Sequence, residues 1–192
     1  MQSRSGFTIV ELLVVIVVIG ILATVVAVIA VGVQDRARNA KLLSGIDSIE
    51  KGLRLYAVKN NRFPEPSDVP NVSSTWATCV QPTAGPWPEK DGLTSNQCFV
   101  NGSFQMGYST VVRDELVTTM GKIPDTSDIT TTLSGTASSR GIVYQYLFGP
   151  NPGAGYPNGY AYLIYFIKND QTCGRGIKGV NAGYTQCVVE LR

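Results

Sequence analysis

One stretch near the start constrains this chain more than any other. Residues 1–33 read MQSRSG and then FTIVELLVVIVVIGILATVVAVIAVGV. Arg4 sits in a short polar leader that Gly6 closes, and a single acid, Glu11, interrupts the apolar run that follows. An Asp, Lys or Arg at the centre of a membrane helix costs roughly 2.5–3.5 kcal/mol on insertion scales, so an ionisable group in such a run reads as functional and calls for a partner. The partner has to be a cation, and no Lys or Arg lies between Arg4 and Arg36. Cutting the chain after Gly6 would create one, a new α-amino group on Phe7. Residues 12–33 are 22 residues without a charge. At 1.5 Å per residue they make about 33 Å of helix, enough to cross a hydrocarbon core of about 30 Å. A secretory signal peptide has a shorter apolar core, about 7–15 residues, with its cleavage site behind it. An ordinary single-pass anchor fits the length but leaves Glu11 unexplained.

Gly6, Phe7, Thr8 and Glu11, followed by the run to Val33, resemble the class III signal of type IV prepilins and type II secretion pseudopilins. The strong part of the resemblance covers residues 1–60. It implies cleavage by a prepilin peptidase after Gly6, methylation of the Phe7 amine, and an assembly role for Glu11. It also implies extraction from the lipid membrane by an assembly platform driven by an ATPase. The implied fold is α+β, a pilin-like lollipop: a long N-terminal helix, transmembrane in its lower half, packed against a C-terminal antiparallel β-sheet. In one respect the chain departs from the pattern. Many members carry a proline where this chain has Val28. Without it no backbone hydrogen bond is removed and no ring clash forces a break. The helix melting linked to that proline is therefore not expected here.

The helical pattern continues past the apolar run. From Gln34 to Asn60, apolar residues fall at Leu42, Ile46, Ile49, Leu53 and Tyr56. Steps of four and three place them on one stripe, with Ala40 and Ala57 near its ends. Asp47–Lys51 and Glu50–Arg54 are acid-first i, i+4 pairs, the favourable order on an exposed face. Gly45 and Gly52 weaken the segment locally. Phe63-Pro64 and then Pro66 give the stop. The stripe is expected to pack on the chain's own head.

Orientation rests on the cysteines. The local flanks, Arg4 against Arg36, Arg38 and Lys41, do not favour one side by the positive-inside rule. Cys79, Cys98, Cys173 and Cys187 all lie beyond residue 78, none forms a CxxC, and the chain has no histidine. That pattern fits disulfides in an oxidising compartment better than zinc. Four cysteines allow three pairings. Nearest neighbours, Cys79 with Cys98 and Cys173 with Cys187, close loops that would contribute roughly 3 kcal/mol each in the chain-entropy model. The C-terminal part is therefore expected outside the cytoplasmic membrane.

Residues 61–110 read as a surface excursion. Five prolines lie between Pro64 and Pro86, then Pro88 follows, and such a run does not fit an interior sheet. Trp76 and Trp87 are expected to fill gaps beneath it. Asn71 and Asn101 open Asn-x-Ser patterns, a short and weak glycosylation signal. Val112, Leu116 and Met120 then recur every four residues, with Gly121 and Pro124 behind them, which predicts a short helix. A strand within 103–112 competes with the start of that helix. Residues 141–148 and 160–167 are aromatic and β-branched, separated by the turn-rich GPNPGAGYPNG, and 186–191 makes a further strand. Short links favour an antiparallel meander with one face on the helix stripe.

Catalysis has little support. No histidine is present to act as base for a Ser or Cys nucleophile. Asp125 and Asp128 sit in a turn without a calcium-loop pattern, and no phosphate loop ends in Lys-Ser/Thr. Lys168, Arg175, Lys178 and Arg192 are read as solvated charge rather than a basic patch. With a net charge of only +2 there is no global nucleic-acid signature. The expectation is therefore a non-enzymatic structural subunit of a type IV pilus-like surface filament, with no cofactor and no metal. The alternative is a pseudopilin or minor pilin of a type II secretion or DNA-uptake system, and a monomeric membrane-anchored binding domain stands further off. The expected organisation is a leader at 1–6, a transmembrane and filament-core helix at 7–33, its amphipathic continuation at 34–60, and an extracellular head at 61–192. Its partners would be copies of itself and other pilins.

Overall fold

The 3.6-residue period is realised as one helix, α1 (Ile9–Asn60). The computed structural model describes residues 8–69, 75–101, 104–133, 135, 137–147, 161–168, 172–181 and 184–191, with the backbone alone at 25–31, 75–76, 104, 147, 168 and 180–181. After α1 come β1 (Thr75–Cys79), β2 (Phe99–Asn101), β3 (Phe104–Met106), α2 (Thr110–Met120), β4 (Thr130–Thr132), β5 (Ser138–Arg140), β6 (Ile142–Leu147), β7 (Ala161–Lys168), β8 (Ile177–Asn181) and β9 (Tyr184–Leu191). The fold is α+β, a long N-terminal helix followed by antiparallel sheet. The chain divides into two compact units, Met1–Arg38 and Asn39–Arg192.

In the first unit, the apolar side chains from Ile9 to Leu22 are between 48% and 83% exposed. Among the described residues no helix is long and apolar enough to cross a membrane. The side chains of 25–31, which complete the apolar run in the sequence, are not among those described.

The second unit is built on the upper stripe of α1. Leu42, Ile46, Ile49 and Leu53 are buried with Ile142 and Tyr144 of β6, Leu163 and Tyr165 of β7, and Cys187, Val189 and Leu191 of β9. These strands belong to a five-stranded sheet of order β1-β6-β7-β9-β8. In β9 the burial alternates residue by residue, as one packed face requires. Val112 and Leu116 of α2 complete this core. Gly45 and Gly52 mark close approach as well as low helix propensity. A Cβ would stand 2.9 Å from Thr126 Cγ2 at Gly45, and 2.7 Å from Met120 Sδ at Gly52.

Three features differ from the sequence expectations. The proline-rich excursion contains a strand, β1, in the proline-free gap between Pro70 and Pro82. It sits at the sheet edge, paired with β6, where flanking prolines do no harm. The sheet is not a simple meander: β7 pairs with β9, and β8 folds back onto the outer side of β9. There is a second sheet, of order β3-β2-β5-β4, of which only β3 has a counterpart among the sequence expectations. The strand competing for 103–112 is β3, and the helix begins after it at Thr110.

α2 begins and ends as its sequence indicates. Ser109 caps it by accepting from Val112 N at 3.1 Å, and Gly121 closes it with φ 78° while donating to Val117 O. Asp68 reinforces the start. Its carboxylate accepts from Ser109 Oγ at 2.5 Å, and from Thr110 N and Oγ1 at 2.7 Å each. Burial pushes the Asp68 carboxyl up, but the bonds from Ser109, Thr110 and Val111 outweigh it and hold it below its ordinary 3.8.

Ile49→Ala, at the centre of the buried stripe, is expected to cost about 2–5 kcal/mol of unfolding free energy. Urea titration should show a lower midpoint at an unchanged slope. Because the folded-state value of Asp68 is lowered, its contribution to stability is present above the unfolded value and lost as pH falls through the folded one. The thermal midpoint should therefore drop on acidification below about pH 4. Asp68→Asn should be less stable at neutral pH and show a shallower acid limb.

Candidate assembly site

Glu11 is the third residue of α1, and the geometry around it is a reciprocal cap. Thr8 N and Thr8 Oγ1 both donate to Glu11 Oε2 at 2.8 Å, and Glu11 N donates back to Thr8 Oγ1 at 3.2 Å. Leu12 N closes the first turn on Thr8 O at 3.3 Å. A helix leaves its first amide donors without internal partners, and Thr-x-x-Glu satisfies two of them at once. Thr8-Ile9-Val10-Glu11 carries that signature in the sequence, where Glu11 otherwise reads as a lone acid in an apolar run. An acid in the first turn also suits the positive end of the helix dipole. Both bonds from Thr8 go to one carboxylate oxygen, so Oε1 takes neither. Gly6 and Phe7, the expected cleavage pair, lie outside the described residues.

Around this cap, Ile9, Val10, Leu12 and Leu13 stand more than half exposed. The arrangement therefore offers a carboxylate held in one orientation beside uncovered apolar surface. Among the described residues no group of three or more potential metal ligands occurs. What the arrangement can do chemically is accept a cationic donor while its neighbours bury.

The other expected residues lie in the second unit. Cys79 is bonded to Cys98, and Cys173 to Cys187. Trp87 is buried beside the first disulfide, edge-on to Tyr108 at 6.1 Å between centroids, whereas the side chain of Trp76 is not described. Asp125 accepts from Ser127 N and Oγ in a local turn, and Asp128 pairs with Lys41 at 2.6 Å. Arg175 keeps its side chain 48% exposed and also pairs with Glu50. Glu50 itself, expected on an open face, is only 4% exposed. Beside the end of α1, Tyr56 Oη donates to Glu115 Oε1 at 2.6 Å and Arg62 Nη2 bonds the same oxygen at 2.9 Å. Burial and then that carboxylate push the Tyr56 hydroxyl up to about 12, so it stays protonated as the donor.

The comparisons with known proteins agree with the N-terminal geometry. Residues 1–32 match the prokaryotic N-terminal methylation motif. The chain is 43% identical over 63 residues to the type II secretion system core protein G of Klebsiella michiganensis, covering 33% of this chain and 44% of that protein. It is 38% identical over 96 residues to the protein of that name from Aeromonas hydrophila, covering 48% and 64%. With that of Pectobacterium carotovorum it shares 36% over 85 residues, covering 44% and 51%. The chain thus spans between 44% and 64% of these curated relatives, whose names are those of a secretion-system core protein and not of an enzyme. No solved structure matches the chain. Over a third to a half of its length the chain is thus similar to these secretion-system core proteins, and residues 1–32 carry the methylation motif expected of a prepilin-type signal.

Proposed function

We propose that this chain is a pseudopilin, a subunit that polymerises through its N-terminal helix into a secretion-type filament. The surface-pilus expectation gives way to this reading because the named relatives are secretion-system core proteins. As a precursor it is held in the cytoplasmic membrane by residues 7–33 with the head outside. A prepilin peptidase cleaves it after Gly6, the Phe7 amine is methylated, and an ATPase-driven platform lifts it into a polymer of its own copies and other pilins.

The observation that carries the mechanism is the Thr8–Glu11 cap amid exposed apolar side chains. Lipid covers that surface in the precursor, and neighbouring helices cover it in the filament. Among packed apolar helices an unpaired carboxylate is heavily penalised. The positive Phe7 terminus of an adjacent subunit relieves the penalty and sets the axial register. Methylation leaves a secondary amine, which still protonates. Thr8 occupies Oε2 and fixes the rotamer, which leaves Oε1 for the incoming amine.

A surface pilus remains the second reading. It rests on the matched N-terminal methylation motif, which does not itself name a secretion system. Deleting the subunit separates the two. Exported proteins accumulating in the periplasm support the pseudopilin, whereas loss of sheared surface filaments with normal export supports the pilus.

Intact mass of assembled filaments should show a chain starting at Phe7 and heavier by one methyl group. A retained Met1 terminus would overturn the processing claim. Glu11→Ala should be cleaved and stay in the membrane, yet assemble poorly. Leaving a buried amine unpaired costs about 3–5 kcal/mol, roughly a hundredfold or more in the assembly equilibrium. Thr8→Val should lose about 0.5–2 kcal/mol, the worth of a helix cap. Filaments of wild-type amount and length from Glu11→Ala would remove the pairing role.

A further inference from the structure

The segment between β7 and β8 has no task in the assembly mechanism, yet it holds a charge partner for Glu50, the most deeply buried acid among the described residues. Glu50 Oε1 accepts from Arg54 Nε at 3.0 Å, and Oε2 accepts from Arg175 Nε at 2.7 Å. Arg54 is one turn away on the same helix and accompanies Glu50 whatever the rest of the chain does. Arg175 lies 125 residues away in sequence. It stands two residues after Cys173, whose disulfide ties the segment to Cys187 in β9. The segment's backbone lies directly against α1: a Cβ on Gly174 would come within 2.8 Å of Leu43 Cδ2. Tyr165 Oη donates to Arg175 O at 2.8 Å and accepts from Arg175 N at 3.3 Å, which orients the residue. Arg175 Nη1 also stands 3.5 Å from Asp47.

A buried carboxylate that loses a partner is penalised by more than the intact pair gains. We infer that the Cys173–Cys187 disulfide is a redox-controlled latch, whose closure delivers Arg175 to Glu50 and so secures the upper helix in the head. Closure proceeds by thiol–disulfide exchange. The two thiols lose two protons and two electrons as the S–S bond forms, and an oxidant disulfide of the thiol-exchange class is reduced to two thiols. In the reduced chain the Arg175 segment loses its covalent tie to β9, and only the Tyr165 bonds and the β8–β9 pairing still place Arg175 near Glu50. The partner that stays by sequence proximity alone is Arg54, whose side chain is 42% exposed. Firm docking of the helix is thereby tied to arrival in an oxidising compartment.

A plain cross-link acts through the unfolded chain, so its removal costs the same whatever residue stands at position 50. The test uses the full chain in detergent micelles, with thermal unfolding of the head followed by near-ultraviolet circular dichroism. The double variant Cys173→Ser/Cys187→Ser is compared with the same pair combined with Glu50→Gln, each against its own disulfide-bonded parent. The latch requires a larger drop in midpoint when Glu50 is present, with at least about half of the loss recovered by Glu50→Gln. Equal drops in both backgrounds overturn it. Arg175→Gln with the disulfide intact gives an independent reading if the serine variant does not fold. It should lower the midpoint, and Glu50→Gln should suppress that loss. An unchanged midpoint for Arg175→Gln overturns the latch.

Discussion

Leu42, Ile46, Ile49 and Leu53 lose nearly all contact with water against β6, β7 and β9, and the rest of the head is arranged around that contact. Burying a side chain of this size stabilises the fold by about 1.5–3 kcal/mol. A stripe of four outweighs any single polar contact in the unit. The contact also explains the glycines. Close approach at Gly45 and Gly52 lets Thr126 and Met120 reach the helix surface, so the local loss of helix propensity is offset by tighter packing. α2 then needs only Val112 and Leu116 to join the same core.

Much of this was legible because it is periodic. The stripe on α1, the four-residue spacing in α2 with its Gly121 stop, and the aromatic strands β6 and β7 all repeat over enough residues to declare themselves. The second sheet does not. β4 is Thr-Thr-Thr and β5 is Ser-Ser-Arg. Three polar residues carry no period, and nothing local says that Ser138, Ser139 and Arg140 are all buried. Arg140 is held inside by Pro88 O and the Trp87 ring, 5.5 Å from its guanidinium, partners about fifty residues upstream in the chain. β8 carries little local signal for a related reason: Ile177, Lys178 and Gly179 have no alternating pattern, and pairing with β9 makes them a strand.

Glu50 shows the same limit for a single side chain. As an acid four residues before Arg54 it has the signature of a solvent-facing helix pair, and that pair does form. What sequence spacing cannot show is that a distant disulfide segment covers the other side of the carboxylate. Burial pushes Glu50 up, yet hydrogen bonds from Arg175 and Arg54 outweigh it and hold the carboxyl below its ordinary 4.5. The charge is kept inside the head because two guanidiniums meet it there.

Glu11 poses the opposite problem, and the two acids together explain the division of the chain. Glu50 lies in a unit that covers its own apolar surface and supplies its own cations. Glu11 lies in a unit whose large side chains from Ile9 to Leu22 stay open and which has no cation between Arg4 and Arg36. Thr8 can satisfy one oxygen by hydrogen bonding, but a hydroxyl and an amide do not neutralise a charge. A helix of this kind is incomplete alone. Its apolar faces call for lipid or other helices, and its acid calls for a positive group that enters with them. In the proposed filament, a processed Phe7 terminus on a neighbouring copy would meet both demands in one contact. For that reason the proposed filament follows from the chemistry of the first turn as much as from the length of the apolar run.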